Sequence, residues 1–237
     1  MTAASTATSR ATGASADAAH GPSMGAGRSP RPAVGLMGGT FDPIHIGHLA
    51  VAEEARDALG LERILFMPAG TPPHKPAGEV TATHHRVAMV ALAIEDNEAF
   101  ELSRMEVERS GPSYTVDTVE RLAEAADVTV ILSAETFREL PTWHEPERLF
   151  VAASVAVVPR EGYPSPDPDW LSEAFPGREG RVRYLDGPRL DLSSTDIRTR
   201  VATGRSIRYL VPPAVAAYIA ANGLYQTESP PRRTAAT

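Results

Sequence analysis

Residues 34–49 constrain this chain more than any other stretch: Val34-Gly35-Leu36-Met37-Gly38-Gly39-Thr40-Phe41-Asp42-Pro43-Ile44-His45-Ile46-Gly47-His48-Leu49. The apolar run 34–37 fits a buried strand. Gly38-Gly39 predicts a tight turn whose bare N–H groups a ligand can approach, because no Cβ stands in the way. Residues 40–47 read as a loop, since Pro43 rules out helix through its middle. Helix is expected from about His48, where Val51, Ala55, Ala58 and Leu59 share one face and Gly60 is placed to end it. A strand, a glycine turn and a helix N-terminus in succession make an anion site, with amides and the helix dipole aimed at its occupant. His45 and His48 stand at its mouth, three residues apart, with Gly47 between them. Two such rings on one site suit phosphoryl or nucleotidyl transfer.

A second stretch points the same way. In Leu192-Ser193-Ser194-Thr195-Asp196-Ile197-Arg198, Ser193 followed three residues later by Asp196 marks a helix start. Read alone, it is a capping box. A hydroxyl cluster on free N–H groups, with Arg198 one turn in, also suits phosphate.

The run 38–48 resembles the signature of the H-x-G-H nucleotidyltransferases, in the bacterial nicotinate-mononucleotide adenylyltransferase variety. The run 193–198 resembles the second signature of that family, about 150 residues later and in the right order. Gly111-Pro112-Ser113-Tyr114-Thr115-Val116-Asp117-Thr118 is similar to the family's segment near the nicotinate-nucleotide pocket. Pro72-Pro73-His74-Lys75 is similar to a loop that closes near the phosphates, Trp143 to a tryptophan framing the pyridine ring, and residues 206–212 to a C-terminal segment. One departure stands out: Ser133-Ala134-Glu135 replaces the usual Gly-Ala-Asp, so Glu135 reaches one methylene further toward the adenosine ribose.

The resemblance implies transfer of adenylate from ATP to nicotinate mononucleotide, giving nicotinate adenine dinucleotide and pyrophosphate in NAD biosynthesis. It implies catalysis by His45, His48 and Arg198. It implies ATP binding by Gly38, Gly39, Thr40, Phe41, His48, Glu135, Ser193, Ser194, Thr195 and Arg198. Nicotinate-nucleotide binding falls to Lys75, Tyr114, Thr115, Trp143 and His144, with backbone N–H groups near Trp143 and His144 expected to prefer the acid. Mg²⁺ is expected to arrive with ATP, with no metal cage built by the protein. Nicotinamide mononucleotide or another phosphate acceptor stays open as the substrate, as does a non-catalytic nucleotide sensor. Class I aminoacyl-tRNA synthetases share His45-Ile46-Gly47-His48, but they need a lysine-rich second signature that this chain lacks.

Composition bounds the rest. The 237 residues suit one α/β domain with tails, and 42% are hydrophobic, enough for a core. The chain has no cysteine, which excludes disulfides and thiolate chemistry and agrees with a cytoplasmic setting. A net charge of -7 argues against nucleic acid as a partner. No apolar run is long enough to span a bilayer, so no membrane is expected. Self-association is left open.

Residues 1–32 lack apolar periodicity and read as a disordered extension, or as chain preceding a start at Met24; residues 227–237 read as a second disordered tail. Between them, 33–226 forms the nucleotidyltransferase domain. Strands are expected at 63–67, 100–107, 128–132, 153–158 and 181–185. Helices are expected around Val87–Ile94, from Thr115, at Ser194 and around Val215. Residues 159–169 read as a proline-rich loop. Arg86 and Arg208 read as surface ion pairs. The alternation predicts a Rossmann-like, doubly wound parallel sheet with right-handed crossovers and a small C-terminal helical segment. Ligands then bind at the carboxyl ends of the strands, at the topological switch point.

Overall fold

The structure, a computed structural model, describes residues 31–70, 80–109, 111, 114–160, 162–163 and 168–226. The expected tails 1–30 and 227–237, the run 72–75 with Lys75, and Pro112-Ser113 lie outside the described residues. In chain order the elements are β1 (Ala33–Gly39), α1 (Ile46–Leu59), β2 (Arg63–Pro68), α2 (Thr83–Ile94), β3 (Phe100–Leu102), α3 (Thr115–Ala123), β4 (Asp127–Ser133), α4 (Ala134–Glu139), α5 (Pro146–Ala152), β5 (Ala153–Val158), α6 (Pro168–Ala174), β6 (Val182–Tyr184), α7 (Ser194–Ala202) and α8 (Pro213–Ala221).

The six strands form one parallel sheet in the order β3-β2-β1-β4-β5-β6. Alternate residues of each strand enter opposite cores. Val34, Leu36, Val128, Val130, Val155 and Val157 meet α3 to α6 on one face. Met37, Ile64, Phe66, Ile131, Ala156 and Val158 meet α1, α2, α7 and α8 on the other. Gly35 lies on this second face because nothing larger fits: a β-carbon there would come within 2.4 Å of Ile64 and 2.9 Å of Leu61. No helix among the described residues is long and apolar enough to cross a membrane.

The register opens the cleft. β1 pairs with β4 only from Ala33↔Asp127 to Leu36↔Val130. On its other side β1 stays paired with β2 out to Gly39↔Pro68, and β4 stays paired with β5 out to Ser133↔Val158. The two central strands therefore part over their last three residues. That is the switch point, where a doubly wound sheet binds ligands.

Several expectations change. Gly38-Gly39 are not a turn: they end β1, paired with Met67 and Pro68, and neither has positive φ. The turn lies at Phe41, whose φ is 50°, ahead of a cis Asp42–Pro43 peptide. α1 begins at Ile46, two residues before His48, and ends where Gly60 takes the left-handed conformation at φ 63°. The strand expected at 100–107 stops at Leu102, because Glu108 N–H donates to Arg104 O and closes a turn. α4 and α5, joined through a single 3-10 turn at Leu140–Thr142, lie within 134–152, where no helix was expected, and α6 ends the loop expected to reach 169.

Arg86 is no surface residue. It is 1% exposed, and its guanidinium donates to the carbonyls of Thr81, Thr40 and Ala69 at 3.0, 2.8 and 2.8 Å. One buried cation thus ties the end of β1 to the end of β2 and to the chain entering α2. Arg31 and Pro32, expected in the tail, belong to the fold. Arg31 donates to the carbonyls of Ala123 and Ala126, and Pro32 O accepts from Asp127 N–H at 2.9 Å.

Candidate active site

The splay between β1 and β4 opens into a cavity of about 610 Å³. Gly38, Gly39 and Thr40 line one wall, and Tyr114, Thr115, Trp143 and His144 reach the other. A β-carbon on Gly38 would meet nothing within 4 Å, so its backbone is open to a ligand. One on Gly39 would strike the Phe41 ring at 3.1 Å. Phe41 itself is 2% exposed, edge-on to His48 at 5.1 Å and against Phe66. Its side chain belongs to the core and offers a ligand only its backbone.

His45 is buried and His48 beside it is half-buried. His45 is 6% exposed, and the two rings stack at 3.7 Å, inclined by 22°. Gly47 makes room for this: a β-carbon there would lie 3.1 Å from His45 Nδ1. Burial, helped by the charge of Arg160, depresses His45 to a pKa of about 4. Burial, His45 and Arg160 hold His48 well below the ordinary range. Both rings are neutral at pH 7. The His45 backbone N–H donates to His48 Nδ1 at 3.2 Å, so the neutral His48 ring carries its proton on Nε2, available as a donor. His45 Nδ1 is buried with no hydrogen-bond partner among the described residues.

The second phosphate candidate folds back onto the first. Ser193 caps α7 by accepting from Asp196 N–H at 3.0 Å. Ser194 Oγ donates to Pro43 O at 2.8 Å. Arg198 donates through Nη1 to Asp42 O at 2.8 Å and through Nη2 to Thr195 Oγ1 at 3.2 Å. Residues 42–43 and 194–198, about 150 apart in sequence, form one wall.

Glu135 is engaged. Ser133, in place of the usual glycine, caps α4 by accepting from Thr136 N–H at 3.2 Å, which puts Glu135 in the first turn. There it pairs with Arg160 at 3.0 Å and accepts from the Tyr163 hydroxyl, whose pKa this raises. Arg160 is the site residue that sequence reasoning missed. It follows β5 by two positions, and the carboxyl end of a central parallel strand was the available signal.

The aromatic wall is made by Tyr114 and His144, whose rings stack at 4.1 Å. Trp143 is half-buried against the first core. Its backbone N–H donates to Leu140 O at 3.0 Å and is therefore not available to a carboxylate, contrary to expectation. Glu106 also lines the cavity. It is 8% exposed, and burial raises its pKa, favouring the neutral acid. Among the described residues no cluster of three or more His, Asp or Glu could hold a metal. A second cavity of about 470 Å³ lies against the first residues of β1, β4 and β5, the end of the sheet opposite to these groups.

A parallel sheet splayed at its switch point, two histidines at the start of the first helix and a serine–arginine helix start facing them define a nucleotidyltransferase, and a family profile described as cytidylyltransferase-like matches residues 36–200. A probable nicotinate-nucleotide adenylyltransferase of Roseiflexus sp. (strain RS-1) is 48% identical over 195 residues, covering 81% of this chain and 98% of the relative. One from Thermomicrobium roseum is 43% identical over 197 residues, 82% of this chain and 92% of that one. The chain belongs to the nicotinate-nucleotide adenylyltransferases, a nucleotidyltransferase family of NAD biosynthesis. The Plasmodium falciparum nicotinic acid mononucleotide adenylyltransferase complexed with NaAD shares the fold, with a TM-score of 0.67 at 20% identity over 82% of this chain and 97% of that one.

Proposed function

We propose that this chain transfers the adenylyl group of ATP to the phosphate of nicotinate mononucleotide, releasing pyrophosphate. The observation that carries the reading is the bonding of residues 194 and 198 to the carbonyls of Pro43 and Asp42, two and three residues before His45, beside a cleft with an aromatic wall.

A phosphate oxygen of the acceptor attacks the α-phosphorus of ATP, and the bond from that phosphorus to the bridging oxygen of the leaving pyrophosphate breaks. The nucleophile is already ionised at neutral pH, so the protein has no proton to remove. Its work is alignment and charge stabilisation. The His48 Nε2–H donates to the α-phosphate as negative charge builds there, and His45 stacks behind it. Arg198 and the capped start of α7 hold the leaving pyrophosphate, Arg198 keeping Nη1 on Asp42 O and turning Nη2 from Thr195 Oγ1 toward phosphate oxygens. ATP-using nucleotidyltransferases generally work with a divalent ion, and Mg²⁺ carried on the ATP phosphates supplies positive charge to the leaving group. Lys75 adds a further positive charge from the 72–75 run.

Glu135 exchanges Arg160 for the ribose hydroxyls of ATP. Tyr114, Trp143 and His144 frame the pyridine ring. With the Trp143 N–H committed to Leu140, the Thr115 hydroxyl and the His144 N–H remain to meet the nicotinate carboxylate. The His144 N–H can only donate, so an amide NH₂ facing it would set a donor against a donor, while the Thr115 hydroxyl can turn to meet either group. That one mismatch costs about 1–3 kcal/mol, equivalent to roughly ten- to a hundredfold in acceptor preference. The enzyme works in the cytoplasm, alone or as an assembly of like chains.

The test is pyrophosphate and dinucleotide formation with ATP, Mg²⁺ and equal concentrations of the acid and amide mononucleotides. The acid product should dominate, and His48→Ala should lower its rate about 10²–10³-fold. Equal use of both acceptors would sink the acceptor assignment; no turnover of either would sink the reaction.

A further inference from the structure

Asp42 lies at the centre of a network that the two signatures do not explain. Its side chain is 3% exposed, and both carboxylate oxygens are held by neutral donors. The Thr81 N–H donates to Oδ2 at 3.1 Å. The Tyr225 hydroxyl donates to Oδ1 at 2.7 Å across 183 residues of sequence. The main-chain carbonyl of the same residue accepts from Arg198 at 2.8 Å, and the next carbonyl, of Pro43, accepts from Ser194. Three residues beyond Asp42 stands His45. The carboxylate is anchored on two sides, and the backbone it anchors holds the arginine.

Tyr225 reaches this position from outside the sheet. It follows α8, past Gly223, in a turn where Leu224 N–H donates to Ile219 O at 3.0 Å. Its own φ is 63°, a left-handed conformation that a tyrosine keeps only where its surroundings hold it. Here the ring packs on the second core, with the hydroxyl 3.9 Å from Met89 Sδ. Burial and the Asp42 carboxylate raise the pKa of the phenol, so it keeps its proton and stays a donor. Arg86, whose guanidinium donates to Thr40 O and Thr81 O, fixes the backbone on both sides of the same carboxylate.

We infer that Tyr225 is a positioning residue for adenylyl transfer: its hydroxyl fixes the Asp42 side chain, and through the Asp42 carbonyl and the following two residues it sets the Arg198 guanidinium and the His45 ring. The inference rests on the reaction assigned above. It also makes the turn after the last helix, which bears none of the signature residues, part of the catalytic geometry. A hydrogen bond to a carboxylate is among the stronger neutral-donor contacts, and losing it leaves a buried charged oxygen unmet.

Tyr225→Phe keeps the ring and its packing and removes only the hydroxyl. The expected result is a kcat about tenfold lower at 25 °C, where the variant is folded, with the KM for nicotinate mononucleotide within about twofold of the parent. Amide hydrogen exchange across residues 40–49 should quicken, while β4 and β5 stay protected. A lower melting temperature with unchanged kcat would make Tyr225 a structural residue and overturn the inference. Unchanged exchange at 40–49 would overturn it too, whatever happens to kcat, because the effect would not run through Asp42. Should the parent protein form no dinucleotide, the reaction assignment fails by itself, and the exchange measurement still decides whether the hydroxyl fixes the loop.

Discussion

His45 and His48 show what burial does to a residue whose chemistry depends on its charge. A histidine near the surface titrates around 6.5, whereas His45 titrates near 4 because burial disfavours its cation and Arg160 repels it. The folded state therefore holds His45 neutral over a range where the unfolded chain binds a proton. Stability from this ring is complete above pH 6.5 and is lost as pH falls toward 4. Between pH 7 and pH 5 it amounts to about 2 kcal/mol, and His48 adds to it in the same direction. Glu106 works the other way: its raised pKa gives stability that is lost as pH rises through the folded value. Urea unfolding of the parent and of His45→Gln at both pH values should show the parent losing about 2 kcal/mol more than the variant. Parallel losses would mean that the histidine is charged in the folded protein.

At the scale of the element, α7 tests how far a motif reads as structure. Ser193 was recognisable as a cap from its spacing to Asp196 alone, and its hydroxyl does accept from the Asp196 N–H. Ser193→Ala should cost about 1 kcal/mol in urea unfolding. A variant as stable as the parent would show the cap to be idle. The strands and longer helices were legible because apolar periodicity over five or more residues is a strong signal. α4 to α6 were not, since each is six or seven residues long and takes its position from packing rather than from pattern. Phe137, Leu149, Phe150 and Leu171 are buried contacts that only the assembled sheet reveals. The same holds for the site. His45, His48 and Arg198 stand out in sequence because their motifs are dense. Arg160, Tyr225 and Arg86 each act through a partner at least 25 residues away, up to 183 for Tyr225 and Asp42, and no local pattern announces such contacts.

For the whole molecule, the first described residues are part of the fold. Arg31 donates to the carbonyls of Ala123, the last residue of α3, and of Ala126 just past it, and Pro32 joins the start of β4. These bonds satisfy carbonyls left open at the helix end. A chain beginning at residue 33 should be less stable than one beginning at residue 31 by about 1–2 kcal/mol, a few degrees in melting temperature for a domain of this size. Calorimetry of the two truncated proteins measures it directly, and equal melting temperatures would mean that the Arg31 contacts contribute nothing. The parting of β1 from β4, which makes the cleft, is likewise a property of the assembled sheet. It depends on where pairing stops, at Leu36 and Val130, in two strands that each continue for three more residues.

The neutral, stacked histidines carry a consequence for the thermodynamics of filling the site. In the proposed reaction, an anion seated on the two rings would favour their protonated forms, so filling the site would be coupled to proton uptake from the surrounding buffer. The heat of binding would then include the ionisation heat of whichever buffer gave up the proton. The same nucleotide, making the same contacts, would be held more tightly as the pH falls toward the range of the rings. The protein would be a stronger base with its cleft filled than with it empty.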